Sequence, residues 1–234
     1  MGGLSVVIAA RNESARLPAL LAQLADQPRL VDEVLVVDGG SQDSTALVAR
    51  LAGARLLRCP PGRGRQLALG AAEAVGAWLL LLHADVRLPP CWGACIVRAI
   101  GADGYGVRPA EPPAWYFELA IAGRDPALRL VEWGVALRSR WLQRPYGDQG
   151  LLISRDLYEA VGGIQPLPLM EDLELAERLS RLGRLRSLGA ALTVDQRRWR
   201  RLGVWRTTLA NARLRRAWRR GESLEALARR YYGE

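Results

Sequence analysis

The chain has 234 residues, and half of them are hydrophobic, which is enough for the core of one medium-sized domain. All 33 of its cationic side chains are arginine, against 24 acidic residues, so the formal net charge is +9. The absence of lysine excludes Schiff-base chemistry and a P-loop, both of which need the amine. The basic charge predicts an anionic partner: nucleic acid, an acidic membrane surface or a phosphorylated substrate.

The cysteine content and the chain start point to a reducing, cytoplasmic setting. Cys59, Cys91 and Cys95 are odd in number and have no second Cys/His pair that could complete a zinc site, so we expect ordinary thiols. We expect no secretory signal, because the first three residues lead straight into a short strand. No apolar stretch approaches the ~20 residues of a membrane span.

The first half of the chain alternates short aliphatic runs with helical patterns. This alternation predicts right-handed crossovers and a mainly parallel sheet with helices on both faces. Strands are predicted at residues 4–10, 33–37, 54–57 and 77–82, and helices at residues 15–25, after the capping segment 41–45, and from the loop at 61–64 to about residue 75.

The pattern changes after Pro89 and Pro90. The prediction there is a helix at residues 92–100, a strand at 104–107, a largely helical stretch at 114–142, a strand at 151–153, a helix at 170–182, a hairpin-like pair at 184–194 and a basic helical tail from 202. We therefore divide the chain into a domain at residues 1–200, with halves at 1–89 and 90–200, and a tail at 201–234.

Acidic residues stand at the ends of three predicted strands. Glu13, Asp38 and Asp85 follow the first, second and fourth strands, and ligands of open α/β sheets bind beyond the carboxyl ends of strands. Glu13 also fits a helix cap. Asp38 precedes two glycines, which let a ligand approach the backbone, so hydrogen bonds to a nucleotide base or ribose are the functional interpretation.

The segment His83-Ala84-Asp85 contains the only histidine of the chain. Beside a diphosphate, Asp85 would suit Mg²⁺ or Mn²⁺, which take oxygen ligands. His83 is either a second ligand, more acceptable to Mn²⁺ than to Mg²⁺, or a satisfied core residue.

Two further segments contain candidate polar groups. Arg63 and Arg65 lie in a glycine-arginine loop at a helix start, where they could clamp a phosphate or a base carbonyl or else form a solvated loop. Asp172 follows Glu171 at a predicted helix start and could act as a general base, whereas simple dipole compensation is the alternative. Asp148 and Gln149, between two glycines, could be presented to a ligand, and Asp148 competes with Asp172 as the base.

Taken in order, these segments resemble the family 2 glycosyltransferases, which have the GT-A fold. The resemblance spans about residues 4–200. Within that family, the sequence is similar in detail to small bacterial selenodomain-associated transferases. The resemblance rests on residues 6–13 (Val-Val-Ile-Ala-Ala-Arg-Asn-Glu), 36–45, 62–70, His83-Ala84-Asp85 in place of Asp-x-Asp, Tyr-Gly-Asp-Gln-Gly at 146–150, and Glu171-Asp172.

The resemblance implies an inverting transfer of a sugar from a nucleotide-sugar donor to an acceptor hydroxyl. We expect the donor to be a UDP-sugar. The resemblance also implies Asp172 as the base, Asp85 as the ligand of a divalent cation, and Asp38 and Arg65 as donor-binding residues. From the residues themselves we also expect His83 beside the cation and acceptor contacts from Asp148, Gln149 and Glu171. The full set of expected donor-binding residues is Ala10, Arg11, Glu13, Asp38, Arg63, Arg65 and Asp85.

Three departures from the family pattern affect these expectations. His83 replaces the first acid, which leaves metal dependence and metal choice open. Ala68 stands where an asparagine is usual. Residues 196–199 (Gln-Arg-Arg-Trp) are one residue short of the Gln-x-x-Arg-Trp of processive members, so a polymerase is not indicated.

Two other classes of function compete. A sugar nucleotidylyltransferase has a similar architecture but needs lysines. A non-enzymatic module for nucleic acid or an anionic surface is the second rival, although we expect no nucleic-acid partner. The basic tail with Trp205 and Trp218, together with Trp115, Trp133 and Trp141, predicts contact with the inner face of the cell membrane and a lipid-linked acceptor, or else packing on the core or in a homo-oligomer.

Overall fold

The computed structural model describes residues 3–101 and 114–232, and for residues 198, 201 and 232 it describes the backbone alone. The predicted strand at residues 104–107 lies outside the described residues. The strands are β1 (Leu4–Ala10), β2 (Val31–Asp38), β3 (Arg55–Arg58), β4 (Trp78–His83), β5 (Val86–Arg87), β6 (Trp115–Ile121), β7 (Leu151–Ser154) and β8 (Arg186–Val194).

The described helices follow the strands in alternation through the first half and gather toward the C-terminus in the second. A short 3-10 helix at Gly147–Gln149 precedes β7. The α-helices are α1 (Leu17–Ala25), α2 (Thr45–Leu51), α3 (Arg63–Glu73), α4 (Trp92–Gly101), α5 (Pro126–Trp141), α6 (Arg155–Ala160), α7 (Glu171–Ser180), α8 (Arg197–Leu202), α9 (Val204–Arg219) and α10 (Leu224–Tyr232).

The strands form one mixed sheet in the order β3-β2-β1-β4-β7-β6-β8-β5. β1 to β4 pair in parallel, as predicted, and β7 runs antiparallel to β4. Because β7 is reversed, its first residue lies at the same edge as the last residues of β1 and β4. That edge is where the candidate site forms.

Apolar side chains cover both faces of the sheet, as the branched runs predicted for buried parallel strands. In β1, Val6 and Ile8 pack in one cluster with α1, α4 and α5, whereas Val7 and Ala9 pack in the other with α3 and α7. The sheet is therefore the middle layer of an α/β/α arrangement.

The prediction of a largely helical stretch at residues 114–142 was wrong for its first part. Residues 115–121 form β6, and the helix α5 begins only at Pro126. The aromatic side chains of β6 alternate between the faces, since Trp115 and Phe117 belong to one apolar cluster and Tyr116 to the other. This alternation has the period of a strand.

The predicted hairpin-like pair at residues 184–194 was also wrong. The segment is the single strand β8, which pairs in parallel with β6 and antiparallel with β5. Gly189 has a φ of 75°, and the register with β6 shifts from Tyr116↔Ser187 to Glu118↔Ala191 across it. The glycine thus marks a bulge in one strand instead of a turn between two.

The predicted helical tail is confirmed as α9 and α10. Its apolar side chains Leu214, Ala217 and Leu227 pack with Leu169, which precedes α7. The tail is therefore joined to the main body next to the residues that the sequence singles out. None of the described helices has the length and apolar composition of a membrane span.

Candidate active site

A cavity of about 680 Å³ opens where β1 and β4 end and where the chain enters β7. Its wall includes residues that follow β1, residues that follow β4, and Asp148 of the 3-10 helix before β7. Since the sheet order is β1-β4-β7, the segment that contains Asp85 lies between the other two. The fold thus assembles three of the predicted segments around one space.

The β1 side of the cavity is basic. Ala10, Arg11 and Arg65 line it, as does Arg63, which together with Arg65 belongs to the first turn of α3. Gln66 holds this turn in place, because its Nε2 donates to the carbonyl oxygens of Ala10 and of Val37, each at 2.8 Å. Two of these guanidinium groups therefore face the cavity from a helix start, where an anion is favoured.

Asp38 lies behind this wall. It is 3% exposed, its Oδ1 accepts a hydrogen bond from the Ser41 N–H at 3.0 Å, and it is not among the described residues that line the cavity. The structure therefore gives Asp38 a contact within the turn after β2. Its predicted contact with a nucleotide stays a prediction.

The loop after β1 is tied to the turn after β2 by side chains of both. Asn12 has a left-handed backbone with φ of 55°; its N–H donates to Ser41 Oγ at 2.9 Å, and its Oδ1 accepts from the Gln42 N–H at 2.8 Å. The Glu13 N–H donates to Thr45 Oγ1 at 2.8 Å. These bonds fix the direction in which Glu13 leaves β1.

Arg197 connects the acids of the first half to the tail. Its guanidinium donates to Asp85 Oδ2 at 3.0 Å and to both carboxylate oxygens of Glu13, while Arg16 lies 3.4 Å from Glu13 Oε2. Burial raises the pKa of Glu13, and the hydrogen bond from Arg197 works against that rise. Glu13 and Asp85, both of which line the cavity, therefore pair with the same guanidinium, that of Arg197.

His83 lines the cavity in a neutral form. Burial, followed by the charge of Arg63, lowers its pKa to about 4. Its Nε2 accepts or donates no hydrogen bond within the described part of the chain. A Cβ on residue 147 would lie 2.8 Å from this nitrogen, so only glycine fits beside the ring.

Asp172 faces the same place from α7. Its Oδ2 accepts from the Gly147 N–H at 2.7 Å, and its Oδ1 accepts from the Leu173 N–H at 2.7 Å. Asp148 lines the cavity next to it, with a pKa raised by burial and an Oδ1 that has no partner among the described residues. The two candidate bases thus lie close together, and only Asp172 is oriented by backbone hydrogen bonds.

Two residues predicted to contact an acceptor lie in the interior instead. Gln149 is 0% exposed, and its Oε1 accepts from Ser139 Oγ at 2.9 Å and from Arg138 Nη2 at 3.1 Å, while its Nε2 donates to the Phe117 carbonyl at 3.1 Å. With its amide used in this way, Gln149 fixes the 3-10 helix to the sheet and α5. That is a correction to the prediction for Gln149.

Glu171 requires the same correction. It is 1% exposed and does not line the cavity; its Oε1 lies 3.5 Å from Arg63 Nε. Burial raises the pKa of Glu171 to about 7, against the lowering effect of Arg63. Glu171 therefore pairs with Arg63 from the interior and does not contact the cavity in which an acceptor would bind.

Several cavity residues were missed by the sequence analysis, among them Tyr146, Arg197 and Arg215. Both arginines belong to arginine-rich segments, since Arg197 begins α8 and Arg215 lies in α9. Residues 196–199 had been considered only as evidence against processivity. The available signal was weak, because helical periodicity in a run of arginines does not show which of them faces inward.

The first half of the chain matches a known protein family. Residues 5–115 match the family described as Glycosyl transferase family 2. Just under half of the chain is therefore similar to this family. The match includes β1 to β4 and therefore the strand ends that form the β1 side and the centre of the cavity.

Two curated relatives are similar to the N-terminal part of the chain. A TPR repeat-containing protein of Synechococcus elongatus is 39% identical over 90 residues, which are 38% of this chain and 22% of that protein. The 4,4'-diaponeurosporenoate glycosyltransferase of Staphylococcus haemolyticus is 39% identical over 93 residues, 36% of this chain and 24% of that protein. The chain thus spans less than a quarter of the curated relatives it matches.

Solved structures confirm that the chain has the GT-A fold. Glucosyl-3-phosphoglycerate synthase of Mycobacterium tuberculosis in complex with Mn²⁺, UDP and glucosyl-3-phosphoglycerate superposes with a TM-score of 0.57 at 22% identity, over 81% of this chain and 71% of that one. A mycobacterial protein superposes with the same TM-score at 23% identity, over 83% of this chain and 65% of that one.

The buried Glu171 predicts a pH effect on stability. The pKa of Glu171 is raised to about 7 in the folded chain, whereas the same carboxyl titrates near pH 4.5 in the unfolded chain. Between these pH values the native state therefore binds more protons than the unfolded state. As pH rises through this range, the free energy of unfolding falls. Relative to wild type, Glu171→Gln should therefore gain stability from pH 4.5 to 7.5, by at most about 3 kcal/mol. Urea unfolding at several pH values measures the difference.

Glu225→Gln is the control, since it removes the same charge from the exposed surface of α10. Parallel stability curves for wild type and Glu171→Gln from pH 4.5 to 7.5 would contradict the raised pKa.

Proposed function

We propose that the chain transfers a sugar from a nucleotide-sugar donor to an acceptor hydroxyl, with inversion at the anomeric carbon. The observation that carries this proposal is that one cavity is lined by arginines near the end of β1 and the start of α3, by Asp85 after β4, and by Asp148 and Asp172. A departing diphosphate needs cations and an acceptor hydroxyl needs a base, and the cavity contains both.

On the donor side, Arg11 and Arg65 neutralise the diphosphate, and Arg63 supports them from the same helix start. Ala10 leaves room for the nucleoside beside the end of β1. We infer UDP as the nucleotide, because a structural neighbour with the same fold binds UDP. Asp38 contributes indirectly, through the turn that it stabilises.

A divalent cation is part of the proposal, and the residues fit one. Asp85 already pairs with a cation, the Arg197 guanidinium, and its side chain is 28% exposed in the cavity. No group of three or more His, Cys, Asp and Glu side chains within residues 3–101 and 114–232 could hold a metal ion, so the remaining ligands would be diphosphate oxygens. Bound at Asp85, with the neutral His83 nearby, Mn²⁺ or Mg²⁺ would neutralise charge on the departing diphosphate.

On the acceptor side, Asp172 is the proposed general base. Its two backbone hydrogen bonds fix its carboxylate, and each oxygen keeps a lone pair for the acceptor proton. It removes that proton while the new bond to the anomeric carbon forms and the bond to the diphosphate breaks. Asp148 holds the acceptor, and Glu171 only supports the site from within.

Loss of the base should slow the chemistry and spare donor binding. Asp172→Asn is nearly isosteric, and we expect it to lower turnover by roughly 10²–10⁴-fold. UDP affinity should stay within about twofold of wild type, because the base and the nucleotide contact opposite sides of the transferred sugar. Release of UDP from UDP-glucose, with water as acceptor, measures the turnover, and calorimetry measures the affinity.

Two matched variants sharpen this test. Asp156→Asn changes an exposed acid of α6 and should behave as wild type. Asp148→Asn tests the competing base: if it loses more turnover than Asp172→Asn does, Asp148 is the base and the assignment to Asp172 fails.

Arg197 predicts a competition for Asp85. Its guanidinium pairs with both Asp85 and Glu13, so a divalent cation has to displace it from Asp85. Arg197→Gln should therefore bind Mn²⁺ about tenfold more tightly than wild type when no nucleotide is present, since the positive charge that competes for Asp85 is removed. Electron paramagnetic resonance of free Mn²⁺ measures the affinity.

Asp85→Asn should lose this Mn²⁺ binding, and Arg200→Gln, an exposed arginine of the same helix, is the control. Equal Mn²⁺ affinity in wild type and Arg197→Gln would show that Arg197 does not compete. Mn²⁺ affinity retained in Asp85→Asn would remove Asp85 from the metal site.

We also propose contact with the anionic inner face of the cell membrane and, from that, a lipid-linked acceptor. The helices α5 and α9 contact each other, and both expose apolar side chains; α9 also exposes arginines. We call these apolar side chains the patch: Leu130, Trp133, Leu137, Trp141, Trp205 and Leu209. Apolar side chains among arginines suit an acidic lipid surface. Trp115 and Trp218 have no part in this, because Trp115 is buried in β6 and Trp218 packs with Leu214 and Leu227.

Liposome flotation tests the patch. Wild type should float with phosphatidylglycerol vesicles but not with phosphatidylcholine vesicles, and the double variant Trp133→Ser/Trp205→Ser should lose most of that binding. Leu51→Ser, which changes an equally exposed apolar residue on α2, is the control. Failure of wild type to float with either lipid ends the proposal, and a stable homodimer in sedimentation would assign the patch to a second copy.

A further inference from the structure

The acceptor side of the cavity contains polar groups whose ligand the proposed transfer does not specify. They are the Tyr146 hydroxyl, the Arg215 guanidinium and Asp148 Oδ1. Tyr146 and Asp148 flank Gly147, whose N–H binds the proposed base, and Arg215 reaches the same wall from α9. Since buried polar groups are nearly always paired in folded proteins, an unpaired set beside a cavity indicates a ligand.

Tyr146 is held rigidly with its hydroxyl unpaired. The Arg138 guanidinium lies 3.5 Å from the ring centroid and is itself fixed by bonds to the Arg144 carbonyl at 2.9 Å and to Gln149 Oε1 at 3.1 Å. The Tyr146 hydroxyl oxygen is buried and has no hydrogen-bond partner among the described residues. Burial also raises the pKa of Tyr146, so this hydroxyl keeps its proton and can donate it to an anion.

Arg215 supplies a positive charge at the same point. Its guanidinium carbon lies 5.7 Å from the Tyr146 ring centroid. It forms no ion pair with any residue that the structure describes, whereas Arg63 pairs with Glu171 and Arg197 pairs with Glu13 and Asp85. The apolar contacts of the neighbouring Leu214 hold this turn of α9 against the body of the protein.

We propose that Tyr146 and Arg215 bind an anionic group of the acceptor, a phosphate or a carboxylate, and that Asp148 accepts a hydrogen bond from one of its hydroxyls. This proposal rests on the proposed transfer, because it assigns the acceptor to that reaction. It makes the C-terminal tail part of the substrate-binding wall. A guanidinium and a phenol hydroxyl donate to the anion, and the unpaired Asp148 oxygen accepts from the group that carries the reacting oxygen.

Inorganic phosphate is the probe, titrated by calorimetry into the full chain saturated with UDP and Mg²⁺, so that the donor side is already filled. Arg215→Gln should weaken phosphate binding by about tenfold or more, and Tyr146→Phe by roughly three- to tenfold. Arg215→Lys keeps the charge and should retain more affinity than Arg215→Gln. Arg213→Gln, an exposed arginine two residues away on α9, should bind phosphate as wild type does.

The same titrations separate this proposal from the proposed function. UDP affinity unchanged in Arg215→Gln, with phosphate affinity lost, supports an acceptor subsite; UDP affinity lost together with phosphate affinity would move Arg215 to the donor side and overturn it. If wild type does not bind UDP, the donor proposal fails, and the phosphate titration on the free chain still decides the subsite.

Two further probes identify the source of the anionic group. Acetate that binds in place of phosphate, with the same dependence on Arg215, assigns a carboxylate. Dihexanoylphosphatidylglycerol that binds more tightly than phosphate assigns a lipid headgroup. Absence of binding of all three probes to wild type, or equal binding in wild type and Arg215→Gln, would overturn the subsite.

Discussion

The parallel register of β1 and β4 is the constraint on which the site depends. Ala9 pairs with His83, so the two strands end side by side and the segments that follow them leave the sheet in the same direction. Glu13 and Asp85 are thereby brought close enough to share one cation. Two carboxylates at such a distance repel each other, and Arg197 offsets that repulsion from a position 184 residues along the chain from Glu13.

This contact explains why the C-terminal segment is more than an appendage. Arg197 starts α8, and α9 and α10 follow it directly, so the ion pair at the strand ends determines where the tail meets the body. The apolar contacts of Leu214 and Leu227 with Leu169 then fix it. A division between a catalytic domain and a tail near residue 200 therefore cuts through the wall of a single cavity.

Much of the first half could be predicted, because its signals are local. Strand and helix periods differ, and an acid after a branched run marks a strand end, so β1 to β4 and the positions of Asp85 and Glu13 follow from short stretches of sequence. Two local patterns in the second half were still misread. Residues 114–142 were predicted to be largely helical, although the aromatic residues of β6 alternate between the faces as in a strand. Residues 184–194 were predicted to form a hairpin-like pair, although Gly189 makes a bulge in one strand.

The site was harder to predict than the fold, because a role depends on which way a side chain points. Gln149 and Asp148 are neighbours in sequence, yet their side chains differ in direction. The Gln149 amide forms hydrogen bonds to Ser139, Arg138 and Phe117 in the interior, whereas Asp148 lines the cavity. In the same way, Glu171 is buried whereas the neighbouring Asp172 lines the cavity. Arg215 is indistinguishable in sequence from the arginines around it, and only the packing of α9 selects it.

The exclusive use of arginine has a consequence for how this cavity can be controlled. A guanidinium stays protonated at every pH a cell reaches, so the arginines that line the cavity keep a constant charge. Any titration inside the cavity is left to carboxyl groups, the single imidazole and the tyrosine hydroxyls. Acetylation of side-chain amines, a common way of silencing anion-binding sites, has no target anywhere in this chain.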